Sequence, residues 1–187
     1  MSTNAGLFSS SLGKKYLMAI TGLFLCSFLV IHFLGNIALF TDPVQFNEYT
    51  RFMSSNPIIR VMEIVLVTGF LTHIVDAIIL TRANKKAQPV KYAMNKNKSS
   101  WYSRNMGLTG SVILAFLILH LQSFWYEYKF GEVLMTVDSN GDSIKDMFTI
   151  VKTAFSEWWY SAIYVLAMIL LGSHLNHGFQ SAFQSVG

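Results

Sequence analysis

Charge is scarce in this chain. Asp, Glu, Lys and Arg make up 13% of its 187 residues, about half of the roughly 25% carried by soluble domains. Together with 52% hydrophobic residues and a mean hydropathy of +0.42, this scarcity excludes a water-soluble enzyme and reads as a membrane protein. Cysteine is almost absent: Cys26 stands alone in an apolar run. That excludes a disulfide framework, a four-cysteine iron–sulfur site and a Cys-x-x-Cys-His haem attachment, so any haem would be held non-covalently. The formal net charge of +4 does not mark a nucleic-acid binder, because most of the bases fall in two short stretches beside apolar segments. The expected partner is the lipid bilayer, not nucleic acid.

What is present in quantity is apolar length. No charge interrupts residues 16–41, 105–126 or 158–187, and each run reaches the roughly 20 residues needed to cross a hydrocarbon core. A fourth stretch, 58–81, carries only Arg60 and Glu63 in its first turns and Asp76 near its far end. The expected fold is all-α, a transmembrane bundle in one membrane domain, 1–187, with spans at about 16–41, 58–81, 105–126 and 158–180. The first run is too long for a signal-peptide core and lacks a small-x-small cleavage site. Lys14 and Lys15 precede the first span, and Arg82, Lys85, Lys86, Lys91, Lys96, Lys98 and Arg104 lie between the second and third with no acid among them. These segments are expected to face the cytoplasm, which puts both the N-terminus and the end of the fourth span inside. Both outer loops look partly helical. Asp42-Pro43 is a cap and first-turn proline ahead of Phe46, Tyr49, Phe52 and Met53; residues 143–156 space Met147, Phe148, Val151 and Phe155 similarly. Asp138-Ser-Asn-Gly-Asp142 between them is turn chemistry. Trp125, Trp158 and Trp159 read as an outer aromatic belt, and Trp101 as an inner one.

Each span holds one histidine: His32, His73, His120 and His174, with His177 as a fifth. Ionisable groups at membrane depth are costly and mark function by default, although a single neutral histidine can equally bond a neighbouring helix. The depths form a pattern. At about 1.5 Å per residue, His32 and His120 fall in the outer half, and His73 and His174 in the inner half, two layers roughly 10 to 15 Å apart. No cysteine or carboxylate accompanies either pair to complete a four-ligand zinc site, whereas a six-coordinate haem iron takes two imidazoles from facing helices. Two b haems fit that count. Gly35, Gly69, Gly172 and Gly178 near the histidines leave room for a porphyrin or for plain helix packing. An internal echo pairs the first and third spans. Thr21-Gly22 and Phe28 precede His32 at the same offsets at which Thr109-Gly110 and Phe116 precede His120. A bc-type cytochrome b would instead carry two widely spaced histidines on each of two helices, a pattern this sequence lacks.

These residues resemble a known family, the single-chain di-haem cytochrome b membrane anchors of succinate:quinone oxidoreductases and quinol:fumarate reductases. The resemblance rests on the Thr21-Gly-Leu-Phe-Leu25 run leading to His32, the Leu108-Thr-Gly110 run leading to His120, Ser156-Glu-Trp158 opening the fourth span, and His174-x-x-x-Gly178. It covers nearly the whole chain. It implies His32 and His120 as ligands of a distal haem near the outer face, and His73 and His174 as ligands of a proximal haem near the cytoplasm. It also implies flavoprotein and iron–sulfur subunits docked on the cytoplasmic side of a bacterial inner membrane, with stretch 82–104 as their landing surface, a lipid anchor, or a plain positive-inside loop. The chain would carry electrons between that head and a quinone, menaquinone for this type. The dicarboxylate site, for succinate and fumarate, would lie on the head. Two departures stand out. Single-chain members carry a fifth helix, so a further segment is expected beyond Gly187. The glutamate that some relatives carry two residues before the fourth-span ligand is Gly172 here, so their proton-return pathway is not expected.

Other polar residues have less defined expectations. Asp76, three residues after His73, either serves a haem-side network or proton relay, or reaches the inner interface. Glu48 sits near where similar enzymes place a quinone-site acid. Arg60 and Glu63 read as an interfacial i,i+3 pair, and His177 as a helix-end residue. Two rival readings remain: the anchor of another quinone-linked enzyme, of hydrogenase or formate dehydrogenase type, and a haem-free transporter or scaffold.

Overall fold

A computed structural model of the chain describes residues 10–87 and 105–186. Helix α1, Ser11–Asn36, follows Ser10, whose hydroxyl accepts the Gly13 N–H at 3.0 Å, and it tightens into a 3-10 turn at Ile37–Phe40. Asp42 in extended backbone then accepts the N–H groups of Val44 and Gln45, and with Pro43 in the first turn it starts α2, Pro43–Ser55, as the sequence predicts. The same device recurs at once: Asn56 accepts the Ile58 N–H at 2.9 Å, and Pro57 opens α3, Pro57–Ala87. At 1.5 Å per residue α3 is about 46 Å long, well beyond a hydrocarbon core of roughly 30 Å. Arg60 and Glu63 therefore lie toward one end of it, and Arg82, Lys85 and Lys86 toward the other.

Helix α4, Met106–His120, continues through a π-helical segment, Leu121–Tyr126, into the short α5, Glu127–Phe130. A two-stranded antiparallel hairpin follows, β1 Met135–Val137 against β2 Ser143–Lys145, in the register Met135 to Lys145 and Val137 to Ser143. The predicted turn at Asp138–Asp142 joins them. Asp138 Oδ1 accepts the N–H groups of Asn140 and Asp142, and Gly141 supplies the positive φ of +86°. The helix expected from residue 143 starts later. Residues 143–145 pair as a strand that buries Ile144, and Asp146 caps α6, Met147–Ser156. Helix α7, Trp158–Val186, completes the described chain.

Among the described residues four helices are long and apolar enough to cross a membrane: Leu12–Phe40, Pro57–Ala87, Met106–Phe130 and Trp158–Ser185. They leave Ile31, Leu34, Ile64, Leu71, Ile118 and Ile169 more than half exposed, a surface that suits lipid and would be a liability in water. The protein is compatible with a multi-pass membrane protein. Of the expected basic stretch, Arg82, Lys85 and Lys86 are on α3, and Lys91, Lys96, Lys98, Trp101 and Arg104 lie outside the described residues, as does Gly187.

The chain divides into two compact units, and every long helix contributes to both. The first comprises Met1–Ser27, Val65–Ser111 and Leu170–Gly187; the second comprises Phe28–Ile64 and Val112–Ile169. The second unit has an aromatic core of Phe46, Phe124, Met147 and Tyr160, flanked by Phe148, Val151 and Tyr164. A polar clasp joins α2 to α6 there. The buried Asn47 donates to Asp146 Oδ1 at 3.0 Å and accepts the Phe148 N–H at 2.8 Å.

Candidate functional site

His32 and His120, the pair expected from depth and from the internal echo, meet in the second unit. Their ring centroids are 5.6 Å apart at an interplanar angle of 81°. That is the spacing of an edge-to-face ring contact; metal–imidazole bonds of about 2.0–2.1 Å on both sides of one ion would need the two rings to part, to centroids roughly 6 Å or slightly more apart. The surroundings are aromatic. Phe28 stacks on His32 at 5.4 Å, and Phe116 and Phe124 lie 6.0 and 5.4 Å from His120. Phe28 and Phe116 sit four residues before their histidines, one helical turn away, so the echo in sequence becomes a repeated Phe-on-His contact. His120 Nδ1 lies 3.0 Å from the Tyr164 hydroxyl, which lies 3.2 Å from that of Tyr160. This chain of hydroxyls leaves Nε2 as the ring nitrogen for a ligand. His32, more exposed, has ring contacts but no side-chain hydrogen bond among the described residues.

His73 and His174 belong to the first unit and lie within electrostatic range of each other. Each rests beside the glycine of a Thr-Gly pair on another helix. A Cβ on Gly22 would be 3.5 Å from His73 Cε1, and one on Gly110 would be 3.5 Å from His174 Cε1. Thr21 Oγ1 is 3.1 Å from His73 Nδ1. His174 Nδ1 is buried and has no hydrogen-bond partner among the described residues. Asp76, one turn beyond His73, is 5% exposed, and its Oδ2 also lacks a partner; Lys14 is within electrostatic range of it.

The glycines singled out as porphyrin clearances behave mostly as packing sites. Tyr49 lies on Gly35, where a Cβ would come within 2.7–2.8 Å of its ring carbons; Phe24 covers Gly69 and Met106 approaches Gly178. Only Gly172 faces open space. Glu48 anchors the hairpin turn, accepting the N–H of Ser139 at 2.8 Å and the Ser139 hydroxyl. Glu63 does more than pair with Arg60 at 2.9 Å: it also accepts the Trp125 indole N–H and the Lys129 ammonium, each at 2.6 Å. Lys129 in turn sits 4.5 Å over the Trp125 ring. His177 lies within electrostatic range of His174. No family model matches the chain, and neither a characterised protein nor a solved structure shows significant similarity to it. Among the described residues no group of three or more His, Cys, Asp or Glu side chains converges to hold a metal ion.

Tyr164, which sequence reasoning passed over, is the polar neighbour of the His32–His120 pair. Its signal was its place, one helical turn after Tyr160 in an otherwise apolar span.

Proposed function

We infer that this chain is a membrane-anchor cytochrome b with two b haems. It would carry electrons between a catalytic head on the cytoplasmic side of a bacterial inner membrane and a quinone dissolved in that membrane. The observation that carries this reading is the apposition of His32 and His120 at 5.6 Å in an aromatic, apolar setting. Nε2 atoms of His32 and His120 would hold one haem iron, and those of His73 and His174 the other. When bound, haem supplies one-electron redox chemistry at its iron, with a potential tuned by the ligands, their hydrogen bonds and burial. The chain's own residues do the rest. Tyr164 and Thr21 engage Nδ1 of His120 and His73, which would leave Nε2 for the iron, Phe28, Phe116 and Phe124 pack against His32 and His120, and His73 and His174 lie beside Gly22 and Gly110.

The resemblance named above supports a succinate:quinone oxidoreductase or quinol:fumarate reductase as the parent complex, with flavoprotein and iron–sulfur partners and menaquinone as the quinone. A succinate oxidation made uphill by such a quinone could draw on the membrane potential, worth about 2.3 kcal/mol per charge per 100 mV. The deciding experiment is a dithionite-reduced minus oxidised spectrum of the purified full-length chain with a pyridine haemochrome assay. Close to two b haems per polypeptide is the expected result. None in folded, partner-assembled protein would leave the transporter or scaffold reading in its place. Co-purifying subunits separate a succinate or fumarate enzyme from a hydrogenase or formate dehydrogenase.

A further inference from the structure

The Thr-Gly pairs of α1 and α4 stand in matching places against the histidines of α3 and α7, yet only one of them makes its hydrogen bond. A hydroxyl has a single proton to give. Thr21 Oγ1 lies 2.8 Å from the Leu17 carbonyl and 3.2 Å from that of Met18, and carbonyls only accept. The proton must therefore point back along α1. Without it, two oxygens 2.8 Å apart would meet lone pair to lone pair. Thr21 Oγ1 can then meet His73 Nδ1, at 3.1 Å, only as an acceptor, and Nδ1 must carry a hydrogen. A neutral imidazole protonated at Nδ1 presents its lone pair at Nε2. Thr21 is 8% exposed, which leaves little room for water to replace it, and the His73 ring packs beside Gly22, with Cε1 3.5 Å from where a Cβ would be.

We propose that Thr21 is a positioning residue that fixes His73 as the Nδ1–H tautomer and so sets Nε2 as the metal-binding nitrogen; this deepens, and rests on, the reading of His73 as an axial ligand. Metal-binding histidines characteristically donate their second ring N–H to a fixed acceptor, which orients the ring and raises its basicity. His174 has the cradle without the bond. Thr109 is 3% exposed and its hydroxyl is likewise turned back, to Met106 O at 3.1 Å, but His174 Nδ1 has no hydrogen-bond partner among the described residues. The two ligands of this pair are thus unequal: His73 is preset, and His174 is the one that adapts.

The test is a ring-nitrogen NMR measurement on the haem-free full-length chain, labelled with 15N-histidine in lipid nanodiscs, followed by haem titration. Wild-type and T21S are expected to show His73 protonated at Nδ1 alone, and T21V a mixture of tautomers. On titration, T21V should bind haem at the His73 site about ten- to hundredfold more weakly, and the bound haem's midpoint potential should rise because the ligand has become less basic. T21S should keep wild-type values. The same change at Thr109 should leave the His174 tautomer untouched. A wild-type His73 protonated at Nε2, or a tautomer unchanged in T21V, overturns the proposal, and the wild-type spectrum decides alone if T21V misfolds. A wild-type chain that takes up no haem overturns the haem reading instead, while the NMR result still decides the tautomer.

Discussion

In the second unit His120 is held by a phenol and walled by rings; in the first, His73 is held by an aliphatic hydroxyl and pressed against a glycine. The contrast is written into one repeated stretch of sequence. In α1 the Thr21-Gly22 end cradles a histidine of α3, while the Phe28-x-x-x-His32 end carries its own; in α4 Thr109-Gly110 and Phe116-x-x-x-His120 divide the same two tasks. Each copy is therefore a two-ended module, and the internal echo is more than a coincidence of apolar residues. The two ends also differ in kind. Stiff aromatic walls fix a ring through contact area, whereas the Thr-Gly end fixes it through backbone proximity and one directional bond. Two haems so held would have different surroundings, and ligand hydrogen bonding and burial are what separate haem potentials.

The largest expected effect breaks the comparison at its root. H32A and H120A should each abolish the same b-type chromophore, and H73A and H174A the other, as read by low-temperature difference spectra. Loss that ignores these pairs would refute the assignment of one pair to each unit. Next, Y164F removes the hydroxyl at His120 Nδ1 and should weaken haem binding at the His32–His120 site about ten- to hundredfold, leaving the other site unchanged; equal effects on both would erase the distinction. Glycine substitutions sharpen it further. G35A drives a Cβ into the Tyr49 ring and should lower stability by about 1–3 kcal/mol in detergent unfolding. G22A, whose new Cβ meets only ordinary contact at 3.5 Å, should cost less and act on His73 alone.

The smallest effect is a pH dependence confined to the second unit. Burial alone would raise the Asp146 pKa, but the Thr149 hydroxyl at 2.6 Å, the Asn47 amide at 3.0 Å and the Thr149 N–H at 3.1 Å outweigh it and hold the carboxyl below its ordinary value. With the folded value depressed, the carboxylate's contribution is complete above the unfolded pKa, about 3.9, and is lost as pH falls through the folded one. The protection of the Phe148 and Thr149 amides, taken relative to their intrinsic exchange rates, should therefore fall only in acid, and D146N should flatten that profile.

Four long apolar helices, the cap at Asp42-Pro43, the turn at 138–142 and the ring contact of His32 with His120 were legible because they rest on local chemistry or on period, whereas the helix ends were not: α3 runs to Ala87 and not to residue 81. What escaped was tertiary. Ser143–Lys145 carries no strong strand signal and becomes a strand because Met135–Val137 lies opposite and Ile144 has a core to enter. Glu48 reads in sequence as standing near the place of a quinone-site acid; its contact with the hairpin turn could not be seen there, because Ser139 is far along the chain. Glu63 shows only Arg60 within helical reach; Trp125 and Lys129 come to it by folding. Tyr164 could be seen as polar, but not as the residue that faces His120.

The π-helical segment that begins immediately after His120 carries a consequence for how this helix tolerates change. One residue more than an α-helix needs is accommodated between His120 and Lys129, which turns everything beyond it by about 100° relative to a regular helix. The histidine and the Glu63 clamp at Trp125 and Lys129 thus keep separate angular registers on a single rod. Deleting one residue from 121–126 would leave His120 in place while swinging the indole and the ammonium away from Glu63. Length in this segment works as a phase setting, and a single-residue indel there should be far less tolerated than any conservative substitution.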